Sequence, residues 1–214
     1  MPELKLLHAD HAPAVLAFEL ANRAYFAASV SDRGDDYFDR FTDRYQSLLA
    51  EQDAGVCAFY VLVASDGDGG HRDGNGDSVS DIGDIGDTGG DGSGSDGSSG
   101  DGSSGDTGGD GSGDIGGDGL VLGRFNLYDI AEGSAVLGYR VARHAAGRGL
   151  ATAAVIELCA RAVSRQGLHT LRAATADQNV ASQRVLVKAG FVPVGPAAPA
   201  ELGGKSGLWY RRDL

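Results

Sequence analysis

The stretch "AAGRGLATAAVIELCARAV", residues Ala145–Val163, decides the fold of this chain. Gly147 and Gly149 make a glycine-rich turn, and the residues after it repeat with helical spacing. One face of the predicted helix carries Thr152, Val155, Ile156, Cys159 and Val163. Such a turn leaves backbone N–H groups free at the positive end of the helix dipole, where phosphate groups bind. Taken alone, the turn fits a purely structural role equally well.

Two familiar phosphate-binding motifs do not fit this sequence. A dinucleotide fingerprint needs a third small residue where Thr152 stands, and a strand–turn–helix unit before it. A Walker A loop needs Gly five positions before Gly204 of "GGKS", but Pro199 stands there. Any phosphate ligand at the glycine-rich turn therefore belongs to another class of site.

Regular patterns on both sides of this helix predict further elements. The predicted strands are Val56–Ser65, Leu120–Ile130, Ser134–Ala142, Leu168–Ala176 and the tail Gly207–Leu214. A second helix is predicted from Asn179, a good N-cap, to Gly190, a good helix stop. Helical spacing is also present upstream, at Phe38, Phe41, Tyr45, Leu48 and Leu49.

Between these elements lies a segment of different composition, Asp66–Gly119. Its 54 residues include 22 Gly, 14 Asp and one Arg, a net charge of −13, whereas the whole chain carries −12. The other 160 residues therefore carry +1. With few apolar side chains and no Pro, the segment is predicted to be a disordered Gly/Asp/Ser insert.

The insert is not predicted to join two domains. The residues before it offer two helices and two short strands, too little for an independent core. A β-hairpin whose first strand ends near Ala64 and whose second begins near Leu120 uses both flanks. The sequence therefore predicts one domain over residues 1–214, interrupted by the insert at 66–119.

Calcium-binding patterns in the insert fail at the residue that defines each site. A nonapeptide repeat needs G-G-x-G-x-D, but Gly94 and Gly113 stand where Asp is required. An EF-hand loop beginning at Asp73 has Ser78 in place of Gly and Asp84 in place of Glu. No metal site is therefore predicted in the insert. Its many Asp side chains leave open only a weak association with calcium.

The remaining features concern location. The first 13 residues have no apolar run of signal-peptide length, and no segment approaches the roughly 18 apolar residues of a membrane span. Cys57 and Cys159 lie in apolar stretches, which predicts buried free thiols. We expect a cytoplasmic protein that contacts neither membrane nor, directly, nucleic acid.

Three segments, in order, resemble the GNAT acetyltransferases. They are "GYRVARHAAGRGLATAAV" (Gly138–Val155), "NVASQRVLVKAGF" (Asn179–Phe191) and the closing "FVPVG…LWYRRDL" (Phe191–Leu214). The likeness is closest to the branch that acetylates the N-terminal alanine of ribosomal proteins. "FELANRAYF" (Phe18–Phe26) is similar to the substrate-side helix of that branch. The resemblance covers nearly all 160 residues outside the insert.

The phosphate loop of that family reads Q/R-x-x-G-x-G/A. Here Ala146–Ala151 matches it at Gly149 and Ala151. Ala146 stands where Gln or Arg is usual, which removes one polar partner of the pyrophosphate, while Arg148 offers a positive charge nearby. The match is therefore partial at this loop.

The resemblance implies an α/β (α+β) fold, a mixed, mostly antiparallel sheet flanked by helices. It also implies that two neighbouring strands splay apart and that acetyl-CoA lies between them, its pantetheine pairing like an extra strand. No metal is implied. The residues expected to bind acetyl-CoA are Leu137, Tyr139, Val141, Gly147, Arg148, Gly149, Leu150, Ala151, Asn179 and Ser182.

The resemblance further implies direct acetyl transfer to an amine, which must lose a proton while the departing thiolate gains one. The implied catalytic residues are Ser182, as proton donor to the thiolate, with Asn179 and Tyr139, and with Tyr210 behind them. A capping role at the start of a helix explains Asn179 and Ser182 equally well. Relatives often carry a Glu base where this chain has Val136. The other nearby candidates for the base are Glu132, His144 and a water chain.

Three functions stay open at this point. The first is an N-acetyltransferase acting on a protein N-terminus such as that of a ribosomal protein. The second is an N-acetyltransferase for a small-molecule amine. The third is a catalytically weak acetyl-CoA-binding protein, because Ala146 and Val136 depart from the family pattern.

Overall fold

The computed structural model of the chain describes residues 1–28, 32–64 and 119–214. The strands in these residues are β1 Glu3–Leu6, β2 Ala58–Val63, β3 Val121–Ala131, β4 Ser134–Val141, β5 Thr170–Ala176, β6 Val192–Ala197 and β7 Gly207–Asp213. The α-helices are α1 Ala12–Ala27, α2 Asp35–Asp39, α3 Phe41–Asp53, α4 Leu150–Gln166 and α5 Val180–Lys188. Short 3-10 turns lie at Ala9–His11, Arg143–Ala145 and Pro199–Leu202.

The strands form one sheet in the order β1-β2-β3-β4-β5-β7-β6. All neighbours are antiparallel except β4 and β5, which run parallel. All six residues of β2 and the first seven of β3 are buried, so these strands lie at the centre of the core. The predicted mixed, mostly antiparallel sheet is confirmed.

Helices cover both faces of this sheet. Glu19 of α1 contacts Arg124 of β3, whereas Gln166 of α4 donates a hydrogen bond to Tyr60 of β2. Tyr60 is paired with Phe125, the residue after Arg124. Because successive side chains of a strand point to opposite faces, α1 and α4 lie on opposite sides of the sheet.

Only part of the face of α4 that carries Thr152, Val155, Ile156, Cys159 and Val163 is buried. Ile156 and Val163 are 46% and 48% exposed. The buried residues are instead Ala154, Val155, Leu158, Cys159 and Ala162. Small alanines can occupy the side of a helix that lies closest to a sheet. A pattern that counts only large apolar side chains therefore misses part of the buried side. The prediction of buried free thiols at Cys57 and Cys159 is confirmed.

Strands β4 and β5 pair over three positions only, from Ser134 with Thr170 to Val136 with Arg172. Past Val136, β4 continues to Val141 and β5 continues to Ala176 with no rung between them. Within the described residues no other strand pairs with β4 on that side. The sheet is therefore open between its two halves.

The predicted disorder of residues 66–119 concerns a stretch that lies, except for Gly119, outside the described residues. Its flanks are described, and β2 and β3 are antiparallel neighbours in the sheet. The N–H group of Ala64 donates to the carbonyl of Leu120 at 2.9 Å, which extends that pairing to the last described residue before the insert. A single domain interrupted by a disordered insert stays a prediction.

Replacing residues 66–119 with a four-residue turn should leave a folded protein that binds acetyl-CoA. The entropy of loop closure grows only logarithmically with length, so shortening 54 residues to 4 should stabilise the fold by about 2 kcal/mol. Thermal unfolding and acetyl-CoA titration of the shortened chain check this. A shortened chain that fails to fold, or a parent insert that calcium orders cooperatively, would mean that the segment is structured.

Candidate active site

Two cavities open where β4 and β5 part. The first cavity, about 370 Å³, extends from β4 to the glycine-rich turn and the start of α5. The second cavity, about 360 Å³, is bounded by β3, β4, β5 and the 3-10 turn Pro199–Leu202. Four residues line both cavities, and we call them the junction: Tyr139, Arg140, Asn179 and Ser182.

The glycine-rich turn forms one end of the first cavity. Gly147 and Gly149 have φ angles of +76° and +78°, a left-handed conformation that favours glycine. The N–H group of Ala153 donates to Gly149 as α4 begins, so the three amides before it have no acceptor within the helix. The preceding turn is tied to α1, because the N–H group of Arg143 donates to Asn22 at 2.9 Å.

The first cavity has the charge that a phosphate ligand needs. Among the described residues that line it, Arg140, Arg184 and Lys188 are cationic and none is acidic. Arg184 and Lys188 have no ion-pair partner among the described residues. Arg148, expected to help, is exposed and lines neither cavity.

The structure places most of the expected acetyl-CoA residues around the two cavities. Those in the first cavity are Tyr139, Val141, Gly147, Gly149, Leu150, Ala151, Asn179 and Ser182. Leu137 lines the second cavity. Their backbone comes from β4 past its last rung with β5, from the turn, and from the start of α5.

A pair of hydroxyl groups lies at the junction. The Tyr139 hydroxyl and Ser182 Oγ are 2.9 Å apart, and the phenol also lies within hydrogen-bond distance, 3.2 Å, of the Ser182 carbonyl oxygen. Burial raises the pKa of Tyr139 to about 12, against the smaller opposing effect of the hydrogen bond to Ser182. Tyr139 is therefore a proton donor at neutral pH, and its ring is held by stacking on Phe125.

Asn179 has the structural role that its position suggested. Its Oδ1 accepts a hydrogen bond from the N–H group of Ser182 at 3.1 Å and caps α5. Its Nδ2 group donates to no acceptor among the described residues, although Asn179 lines both cavities. The capping bond fixes the start of α5, and with it Ser182, beside Tyr139.

The expected candidates for the base are not at the junction. Glu132 lies in the turn between β3 and β4, at the far end of β4 from the cavities, and His144 is exposed in the 3-10 turn before Gly147. Neither residue lines either cavity, nor does the buried Tyr210. Val136 forms the last rung with β5.

Sequence reasoning missed Glu201, the one carboxylate among the described residues that line either cavity. Its Oε2 accepts hydrogen bonds from the N–H group of Ala198 at 2.8 Å and from Trp209 Nε1 at 3.0 Å. Its Oε1 accepts none from the described residues. Nothing in the local pattern "APAELGG" distinguishes this Glu from a surface residue, because its place depends on how β6 and β7 pair.

A buried ion cluster was also missed. Glu19, 2% exposed, lies 2.8 Å from Arg124, 3.0 Å from Arg140 and 3.8 Å from Arg33. Burial opposes its ionisation, but the three guanidinium groups together hold the pKa of its carboxyl below the usual value. A signal was present: Glu19 lies between Val15, Phe18, Asn22 and Phe26 on the buried stripe of α1.

Two further features concern the described part of the chain alone. No group of three or more His, Cys, Asp or Glu side chains there is arranged to hold a metal ion. None of the helices there has the length and apolar composition needed to cross a membrane.

Residues 112–192 match the sequence profile of the acetyltransferase (GNAT) domain. No curated protein matches the chain significantly. Together with the sheet and the site, the profile match identifies the class of enzyme. The chain carries a GNAT acetyltransferase domain and is an acetyl-CoA-dependent N-acetyltransferase.

Solved structures share the fold at low identity. The ribosomal-protein-S5-alanine acetyltransferase from Vibrio fischeri is 15% identical, with a TM-score of 0.70 over 99% of this chain and 92% of that one. RimJ from Mycobacterium smegmatis, in complex with CoA-disulfide, is 18% identical, with a TM-score of 0.66 over 100% and 86%. The spermidine N-acetyltransferase from Vibrio cholerae, in complex with CoA and spermine, is 12% identical, with a TM-score of 0.61 over 98% and 91%.

Proposed function

We propose that this enzyme acetylates the N-terminal amine of a protein. The fold is similar to that of an enzyme named for ribosomal-protein alanine acetylation, and the sequence of α1 resembles the substrate-side helix of that branch. The single observation that carries the proposal is that the two cavities meet at the Tyr139–Ser182 pair. A donor in the first cavity and an amine in the second can then meet there for direct transfer.

Acetyl-CoA fits the first cavity as a substrate. The unpaired amides at the start of α4 receive the pyrophosphate, and Arg184 and Lys188 supply charge that Ala146 cannot. Past Val136, the edge of β4 over Leu137–Val141 pairs with the pantetheine in the way that a strand would. The acetyl group then lies at the junction.

The junction supplies the proton transfers. Glu201 removes the proton of the attacking amine, directly or through a water, since no other described residue lining the cavities is a carboxylate. When the Tyr139 hydroxyl donates to Ser182 Oγ, the Ser182 hydroxyl is left to donate to the departing thiolate. A serine hydroxyl is no stronger an acid than this phenol, so Ser182 protonates the thiolate as Tyr139 passes its own proton to Ser182 Oγ. Solvent then returns a proton to Tyr139, whose pKa of about 12 favours the protonated form.

The acceptor is tested by thiol release from acetyl-CoA against a panel of peptides that begin with Ala or Ser, polyamines and free amino acids. Peptides should be acetylated with the highest kcat/KM, and mass spectrometry should locate the acetyl group on the N-terminal residue. Preferred turnover of a polyamine would assign a small-molecule function instead. Binding of acetyl-CoA without turnover of any acceptor in the panel would contradict the proposed acceptor.

Gly149→Val should weaken acetyl-CoA binding by at least about tenfold, which is 1.4 kcal/mol, because the side chain enters the space that the pyrophosphate needs. The matched control is Gly167→Val at the other end of α4. Gly167 also has a positive φ angle, +64°, also has no atom within 4 Å of an added Cβ, and lines neither cavity. Calorimetric titration of the two folded variants checks this. Equal affinities would remove the turn from the binding site.

A further inference from the structure

The ion cluster around Glu19 carries more positive than negative charge. Among the described residues, Glu19 is the one carboxylate within ion-pair distance of Arg33, Arg124 and Arg140. One negative charge therefore faces three positive charges, and Arg33 and Arg140 also line the second cavity. The excess of two charges lies beside the space proposed for the acceptor.

This excess is unfavourable in the protein alone. Burial lowers the pKa of Arg140, and the neighbouring Arg33 and Arg124 lower it further, so that Glu19 does not fully compensate. Buried charges without partners cost stability unless an opposite charge binds them. In addition, the buried Nε of Arg124 has no hydrogen-bond partner among the described residues. The cluster is short of acceptor oxygens.

The two guanidinium groups in the cavity are held in place before any ligand binds. Arg33 lies over the ring of Tyr37, 4.3 Å from its centre, and Arg140 lies over the ring of Phe26 at 4.9 Å. Their side chains remain 26% and 21% exposed, so both are accessible from the cavity. A preorganised, partly desolvated guanidinium binds a carboxylate more tightly than a free surface arginine does.

We propose that the acceptor amine belongs to a molecule carrying a carboxylate, which binds Arg33 and Arg140. This rests on the proposed function, and for a peptide it means Asp or Glu directly after the N-terminal residue. Arg140 suits that position because it is one of the four junction residues, which line both cavities. A free amino acid offers the same group as its α-carboxylate. Polycations are disfavoured by the same two charges.

The test compares kcat/KM for peptides that differ only in the second residue, Ala-Glu, Ala-Gln and Ala-Lys, at near-physiological salt to screen the acidic insert. The wild-type enzyme should prefer the Glu peptide over the Gln peptide by roughly tenfold, as expected for a charged hydrogen bond. Arg33→Gln should bring this ratio close to one, and Arg33→Lys should retain part of it. The control Arg165→Gln, on the exposed end of α4 and outside both cavities, should keep the full ratio.

Equal kcat/KM for the Glu and Gln peptides would overturn the proposal, as would an unchanged ratio in Arg33→Gln. If Arg33→Gln does not fold, the wild-type comparison decides. Faster turnover of free glutamate than of any peptide would support a carboxylate-bearing acceptor. It would mean that this acceptor is an amino acid and not a peptide. If no peptide reacts, the proposed function fails. The inference is then tested by the ratio of kcat/KM for small amines with a carboxylate to kcat/KM for small amines without one.

Discussion

Glu201→Gln should lower kcat by roughly a hundredfold at neutral pH, because an amide cannot accept the proton of the attacking amine. The amide can still accept hydrogen bonds from Ala198 and Trp209 through its oxygen, so the 3-10 turn should keep its position. Acetyl-CoA affinity should change little, since Glu201 lines the second cavity and not the first. Steady-state kinetics with the best peptide, together with calorimetry for acetyl-CoA, measure both quantities.

The pH dependence separates a base from a residue that only holds the turn. Without Glu201, the rate should follow deprotonation of the free acceptor amine and recover as the pH rises through about 7.7–8.0. A merely structural role would lower the rate equally at every pH. The matched control is Glu157→Gln on α4, where Glu157 pairs with Arg161 and lines neither cavity. Wild-type turnover in Glu201→Gln would exclude it as the base.

Ser182→Ala should lower turnover by roughly ten- to a hundredfold while leaving acetyl-CoA affinity nearly unchanged. The capping bond uses the backbone N–H group of Ser182, which Ala retains, so α5 should begin at the same residue. Tyr139→Phe removes the other hydroxyl of the pair, and stacking on Phe125 should hold the ring. Because the two hydroxyls act as one hydrogen-bonded unit, the double variant should be little slower than either single variant.

Ser164→Ala is the control for this pair, because Ser164 is an exposed serine of α4 whose hydroxyl bonds only within the helix. Unaltered turnover in Ser182→Ala would mean that Ser182 has only a structural role at the start of α5. Loss of affinity and turnover together would mean that its hydroxyl holds acetyl-CoA instead.

The fold was predictable because its signals are local. The glycine-rich turn, the N-cap at Asn179 and the strand from Val121 to Ala131 each depend on neighbouring residues, and each is present in the structure. The upstream helical pattern at Phe38–Leu49 was also correct, although the chain breaks at Arg40 into α2 and α3. The expectations about residues 66–119 remain open, since those residues are described only at Gly119.

The second cavity was not predictable in the same way. Glu201 and Arg33 are far apart in sequence, and they line one cavity because β4 and β5 part there. Glu132 and His144 were nearer to the phosphate turn in sequence, yet the structure places both away from the junction. Proximity along the chain is a poor guide to a site that several strands and turns build together. The buried polar side chains of α1 were the one local signal that was overlooked.

The most direct test of acetyl transfer at the junction is the affinity of a conjugate that joins the sulfur of CoA, through an acetyl linker, to the N-terminal amine of an Ala-Glu peptide. Such a molecule occupies both cavities at once if they meet at Tyr139 and Ser182. It should bind at least about a hundredfold more tightly than CoA in calorimetric titration. The control conjugate joins CoA to the same peptide through a distant lysine side chain and should bind like CoA. Equal affinity for both conjugates and for CoA would contradict direct transfer at this junction.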